Sequence, residues 1–151
     1  MTSPALPALA ALAALAAAPA WAALGEPAAS VAADGRSLAA ARKAAETRAA
    51  FTVERLESGA HRIREYVAPS GVVFAVTWDG FTQPNLSVLL GRYAAPVRKA
   101  AAQRGPTAGH RQGRVDAGGA VVESWGRLRS MHGRAWVPAL LPPGVTPDDL
   151  R

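Results

Sequence analysis

The sequence predicts an α+β fold: an antiparallel sheet of about five strands, ordered three strands, helix, two strands, with one main helix on one face. Three observations predict it. Residues 51–78 hold three runs rich in β-branched and aromatic residues, separated by turn residues. A single leucine-rich stretch beginning at Leu86 repeats at helical spacing. Two further β-type runs follow a glycine-rich stretch rather than alternating with helices, which argues against a parallel α/β sheet.

The chain begins with an address rather than a fold. Residues 1–25 carry no charged side chain, Leu6, Leu9, Leu12 and Leu15 sit among alanines, and Ala20-Trp21-Ala22 matches the A-x-A pattern of a signal peptidase site. The apolar core is shorter than the roughly 20 residues that span a bilayer. Residues 1–22 are therefore read as a cleaved signal peptide, with no stable membrane insertion after cleavage and the protein exported to the periplasm or the extracellular space. Only the terminal amine supplies positive charge to the n-region, and an uncleaved anchor is the rival reading.

Residues 23–50 form an alanine-rich N-terminal segment, and 51–151 a single α+β domain. Within the segment Pro27 suits the first turn of a short helix through Ala33, Gly35 interrupts it, and a second helix is expected over about 38–48, loosely attached because Leu38 is its only large apolar residue. Phe51–Leu56 reads as the first strand, His61–Val67 as the second, with period-two alternation, and Val72–Trp78 as the third. The turn Ala68-Pro69-Ser70-Gly71 joins the last two. The third strand is almost continuously apolar, so it is placed centrally, covered on both faces. Asn85 suits an N-cap for the helix carrying Leu86, Leu89, Leu90, Tyr93 and Val97, which Pro96 should end or kink near Ala95. Residues 103–119, with five glycines, are expected to be a loop; 120–124 is the fourth strand, Trp125-Gly126 a turn, and 127–137 the fifth, broken near Gly133. The proline-rich tail should be extended.

Charge narrows the partners without naming one. The chain has 17 Lys+Arg against 11 Asp+Glu, a net charge of +6, and 15 of the 17 cations are arginine. Such a chain suits nucleic acid, anionic lipid or acidic polysaccharide. The arginines are dispersed, however, and an exported protein does not meet nucleic acid, so a nucleic-acid partner is not expected. The bias also matches the composition left by GC-rich codons. The absence of cysteine excludes disulfides, thiolate metal sites and a cysteine nucleophile.

The run Arg64-Glu65-Tyr66-Val67, Pro69, Gly71-Val72-Val73-Phe74-Ala75-Val76 and Trp78, together with Ala23-Leu24-Gly25, Leu89-Leu90-Gly91, His132-Gly133-Arg134-Ala135-Trp136-Val137-Pro138 and Leu140-Leu141-Pro142, resembles a bacterial family of small exported proteins known as domain of unknown function 2844. The likeness spans about positions 23–151. It implies export and one small domain, and brings no reaction, ligand or catalytic residue with it.

The residues themselves offer few chemistries. There is no phosphate-binding glycine loop, nucleophile elbow or zinc-protease helix. His61, His110 and His132 lack ligand spacing, so no metal and no cofactor are expected. Alternation puts His61, Ile63, Glu65 and Val67 on one face, which draws Glu65 toward the core. There it needs a partner, with Arg129 or Arg134 as candidates, or it forms an acid/base pair with His132; the other reading leaves it in water at a sheet edge. Trp78, Trp125, Trp136, Tyr66 and Tyr93 are core residues or, where exposed together, a stacking platform, Trp136 being the leading candidate. Asn85-Leu86-Ser87 matches a glycosylation acceptor and is read as a helix cap. The candidate binding residues are thus Glu65, Tyr66, His132, Arg134 and Trp136. The expected function is a non-enzymatic binding or interaction module of the envelope, whose partner is an envelope protein or glycan; the alternative is a small hydrolase using Glu65 and His132.

Overall fold

A computed structural model describes residues 23–104 and 112–151; the expected signal peptide, 1–22, and His110 lie outside the described residues. The fold is α+β, built on one antiparallel sheet. Its strands are β1 (Ala41–Thr47), β2 (Thr52–Glu57), β3 (His61–Val67), β4 (Val73–Gly80), β5 (Gln112–Ala117), β6 (Ala120–Arg127) and β7 (Ser130–Trp136). They lie in the order β1-β2-β3-β4-β7-β6-β5. Two meanders, β1 to β4 and β5 to β7, are thus joined where β4 pairs with β7, Ala75 opposite Trp136. The helices are α1 (Val31–Ser37), α2 (Leu86–Leu90) and α3 (Ala94–Gln103).

β4 is central, as its apolar run implies: Val73 to Trp78 are all buried. One sheet face carries Leu56, Ile63, Val76, Trp78, Val122 and Ala135, and is covered by Leu24, Val31, Leu89, Leu90 and Val97 from the N-terminal segment and the helices. The other carries Val53, Tyr66, Ala75, Val121 and Trp136, with Phe51 and Phe74, and is covered by Leu141, Val145 and Leu150 of the C-terminal tail. Phe74 stands edge-on to Phe51 at 5.8 Å between centroids. The tail is held by the Tyr66 hydroxyl, which donates to the Arg151 carbonyl at 2.7 Å.

Several expectations are corrected. The sheet has seven strands rather than five. Residues 41–47 are a strand, not a helix, because they complete the free edge of β2 over a register from Ala41 opposite Glu57 to Thr47 opposite Thr52; edge pairing outweighs alanine's helical propensity, which tertiary context readily overrides. Residues 41–47 bury little, and the chain is anchored ahead of them. Leu24 is fully buried, and Gly25 donates to the Val73 carbonyl at 2.7 Å while the Val73 amide donates to Glu26 at 2.9 Å. Residues 112–117 form β5 instead of loop, paired to β6 with Val115 opposite Val122. The chain does not turn at Trp125-Gly126 but after Arg127, where Arg129 takes a φ of 68°.

Gly133 does not break its strand. It makes room for the Trp78 indole, since a Cβ there would stand 2.2 Å from Trp78 Cζ2. The expected single helix is two. α2 stops at Gly91, and α3 contains Pro96 at its third position, where the missing amide proton costs nothing because first-turn amides have no partner within the helix. Gly35 lies inside α1. Asn85 caps α2 as expected, its side chain accepting from the Ser87 amide at 3.0 Å.

Candidate functional site

Strand alternation and register decide where each candidate points. Glu65 lies opposite Val76, which lies opposite Ala135, so Glu65 faces the helices. His132, Arg134 and Trp136 alternate with Gly133 and Ala135 along β7 and face the other way. The sheet therefore separates Glu65 from His132, and the acid/base pair expected of them does not form.

Glu65 is one of two carboxyls buried together. Asp34, from α1, and Glu65 are each only 1% exposed, and among the described residues none of their four carboxyl oxygens receives a hydrogen bond from another group. Arg129 and Arg134, the expected partners, lie elsewhere; the group facing Glu65 is Asp34. Burial raises the Asp34 carboxyl to about 7, against the opposing pull of a hydrogen bond with Glu65. Burial, then the charge and hydrogen bond of Asp34, then the charge of Glu54, push Glu65 well above the usual glutamate range. Two carboxyls buried side by side resist being ionised together, so the pair favours retaining a proton. Glu54 is opposite Glu65 in the register and stays paired with Arg42, whose Nε lies 2.7 Å from Glu54 Oε2. The pair is sealed from solvent between α1 and the sheet.

The second face is divided. Near Phe51, Tyr66 and Trp136 it is apolar and covered by the tail. Tyr66 and Trp136, expected as binding residues, are 0% and 3% exposed and belong to this core. The other half is open and polar. One row across the strands runs Arg55, Arg64, Thr77, Arg134, Glu123, Arg114; the next contains Arg62, Asp79, His132 and Trp125.

Charges on this half are organised around carboxylates. Asp79 accepts from Arg62 Nε at 2.7 Å and Arg64 Nη1 at 3.1 Å. Glu123 accepts from Arg134 Nε at 2.7 Å and Arg114 Nη1 at 2.8 Å. Partial burial would raise Glu123, but the two guanidiniums hold it below the usual glutamate range. Trp125 is 37% exposed and its ring stacks on His132, with centroids 6.2 Å apart and planes 15° apart. Beside it opens a cleft of about 640 Å³ lined by Arg114, Glu123, Trp125, Arg134 and, from the tail, Asp148 and Arg151. Arg134 also donates to the Pro147 carbonyl, which fixes the tail as the cleft's wall.

Of the five sequence candidates, then, His132 and Arg134 share the open face, Tyr66 and Trp136 form the core beneath the tail, and Glu65 lies on the opposite side. Arg114, Glu123 and Trp125 were not carried as candidates, Trp125 having been weighed only as one of five platform aromatics, and Asp34 was missed. The first three become legible once 112–117 and 120–127 are seen as paired strands, because alternation then puts them on one face. Asp34 carries no local signal, since only the tertiary fold brings it to Glu65.

A family model described as protein of unknown function (DUF2844) matches residues 20–150. No curated protein and no solved structure matches. The match covers most of the chain, which belongs to that family.

Proposed function

We propose that this member of the DUF2844 family is an exported, non-enzymatic binding module of the cell envelope, periplasmic or secreted, and that it recognises its partner through the open half of the second sheet face. The exposed Trp125, stacked on His132 at the mouth of the 640 Å³ cleft, carries the reading. An amphipathic ring fixed on a rigid sheet, flanked by paired arginines and carboxylates, suits a ligand with alternating apolar and polar surface, as a glycan or a peptide has. The uncharged segment 1–22 with Ala20-Trp21-Ala22 supports export. Among the described residues no helix is long and apolar enough to cross a membrane.

Two measurements test this. Expression of the full chain should give a product lacking about the first 22 residues, outside the cytosol; an unprocessed cytosolic protein refutes export. Purified protein should bind components of a glycan array or of envelope extract, and Trp125→Ala should lose that binding while melting at the wild-type temperature. Undiminished binding by the variant refutes this face as the recognition surface.

A further inference from the structure

The arginines of the open face form a repeating pattern that two-residue contacts do not reveal. Glu46 of β1 lies between Arg48 and Arg55, Asp79 of β4 between Arg62 and Arg64, and Glu123 of β6 between Arg114 and Arg134. Each unit is one carboxylate held by two guanidiniums and leaves one net positive charge. Asp148, 3.6 Å from Arg134 with its side chain 87% exposed, brings a second carboxylate to the third unit and cancels its formal net charge. The units follow one another across the sheet in strand order: the first on β1 and β2, the second on β3 and β4, the third on β7, β6 and β5. Strands are about 4.8 Å apart, so successive units recur at roughly 10–15 Å and span about 25 Å from Arg55 to Arg114.

This array runs perpendicular to the strands, as Arg55, Arg64, Arg134 and Arg114 occupy a single row. Its outward arginines are accessible: the side chains of Arg62 and Arg114 are 65% and 58% exposed. Arg114 uses only Nη1 on Glu123 among the described residues, leaving its remaining donors for a second acceptor. Each unit already holds a carboxylate, so its fork geometry is matched to that planar anion. Trp125 lies in the adjacent row beside the third unit, offering a flat apolar surface to the C–H face of a sugar ring.

We propose that the open face binds an acidic polysaccharide, a chain of uronic-acid-type sugars lying across the strands, with its carboxylates on the arginine units and one ring on Trp125. This rests on the reading of that face as the recognition surface and adds the ligand's chemical class. A periodic row of cations suits a polymer with periodic anions better than a compact ligand, which would engage one unit. The indole favours carbohydrate over an acidic peptide or a polyphosphate, which gain less from a flat apolar surface.

The test is a titration of the purified full protein with polygalacturonate, with dextran as a neutral polysaccharide and poly-glutamate and polyphosphate as non-sugar polyanions. Polygalacturonate should bind, and its affinity should fall about tenfold or more between 50 and 300 mM NaCl as screening strengthens. The double variant Arg62→Ala/Arg114→Ala should weaken it about tenfold or more with melting unchanged, and Trp125→Ala should weaken polygalacturonate but not polyphosphate. Equal binding of all three polyanions, insensitive to Trp125→Ala, overturns the sugar assignment. Binding of dextran that is lost in Trp125→Ala but indifferent to salt and to the arginine variant overturns the anionic assignment while leaving the face as the recognition surface. Binding by none of the polymers overturns the proposal, and the array and extract measurements then decide whether that face recognises anything else.

Discussion

Replacing Glu65 by glutamine probes the buried acid pair most directly, because it removes one proton site without changing side-chain volume. In the unfolded chain both carboxyls return to ordinary values, 3.8 for Asp34 and 4.5 for Glu65. In the folded protein both are raised, Asp34 to about 7. The native state therefore binds more protons than the unfolded state above pH 4, so its stability falls as pH rises. The contribution is fully present below the unfolded values and is lost as pH climbs through about 7. At roughly 1.4 kcal/mol per pH unit, the interval from 3.8 to about 7 corresponds to an upper limit of about 4–5 kcal/mol for Asp34. Glu65, raised in the same direction by burial and by Asp34, adds a loss of the same sign.

In Glu65→Gln the amide donates to an ionised Asp34, so the pair no longer needs to retain a proton. The variant should exceed the wild type by about 1–3 kcal/mol at pH 8 and lose that advantage at pH 4.5. Urea unfolding followed by far-UV circular dichroism at pH 4.5, 6, 7 and 8 measures both curves. Every other titrating group is common to both proteins, so the difference between the curves isolates the acid pair. A wild-type stability that is flat or rising from pH 4.5 to 8 refutes the reasoning. So does a variant destabilised equally at both ends.

Three further outcomes follow from packing. Phe74→Ala should cost about 3–5 kcal/mol by emptying the aromatic cluster with Phe51 and Tyr66, and a loss under about 1 kcal/mol in the same urea assay would mean that β4 is not central. Gly133→Ala forces a methyl against Trp78 Cζ2 at 2.2 Å and the Glu123 carbonyl at 2.8 Å, so it should destabilise by about 2 kcal/mol or more; wild-type melting would show that the indole moves freely. Tyr66→Phe removes the donor to Arg151 and should cost about 1 kcal/mol. It should also speed removal of the last residues by carboxypeptidase, and an unchanged rate would mean that this hydrogen bond does not hold the tail.

The middle of the fold was legible because its signals are local. The strands around His61–Val67 and Val72–Trp78 announce themselves by alternation and by continuous apolarity, and Asn85 by its capping chemistry. The edges were not. β1 contains Ala44 and Ala45 with charged neighbours and buries little, so nothing in it resists either helix or strand; its state is set by the unpaired edge of β2. β5 has one large apolar residue, Val115, and follows a glycine-rich stretch. Losing β5 hid the row that brings Arg114 to Glu123. The open face was half read for the same reason: His132 and Arg134 were placed on the C-terminal strand, while Trp125 was assigned to a turn. Trp136 was favoured as an exposed aromatic because the tail that covers it has no periodicity to betray which of its residues point inward.

The junction of the two meanders bears on how the sheet is assembled. Every neighbouring pair except β4 with β7 is joined by a short connection, whereas Ala75 and Trp136 must meet across the intervening helices, β5 and β6. Closing so long a loop is entropically costly before the contacts it enables repay it, so docking of one meander on the other is the natural rate-limiting event. Until then β4, the most apolar strand, presents an unpaired border. A nascent chain halted at that point is primed to pair with another copy of itself, and slow supply of residues 112–136 would favour aggregates over monomers.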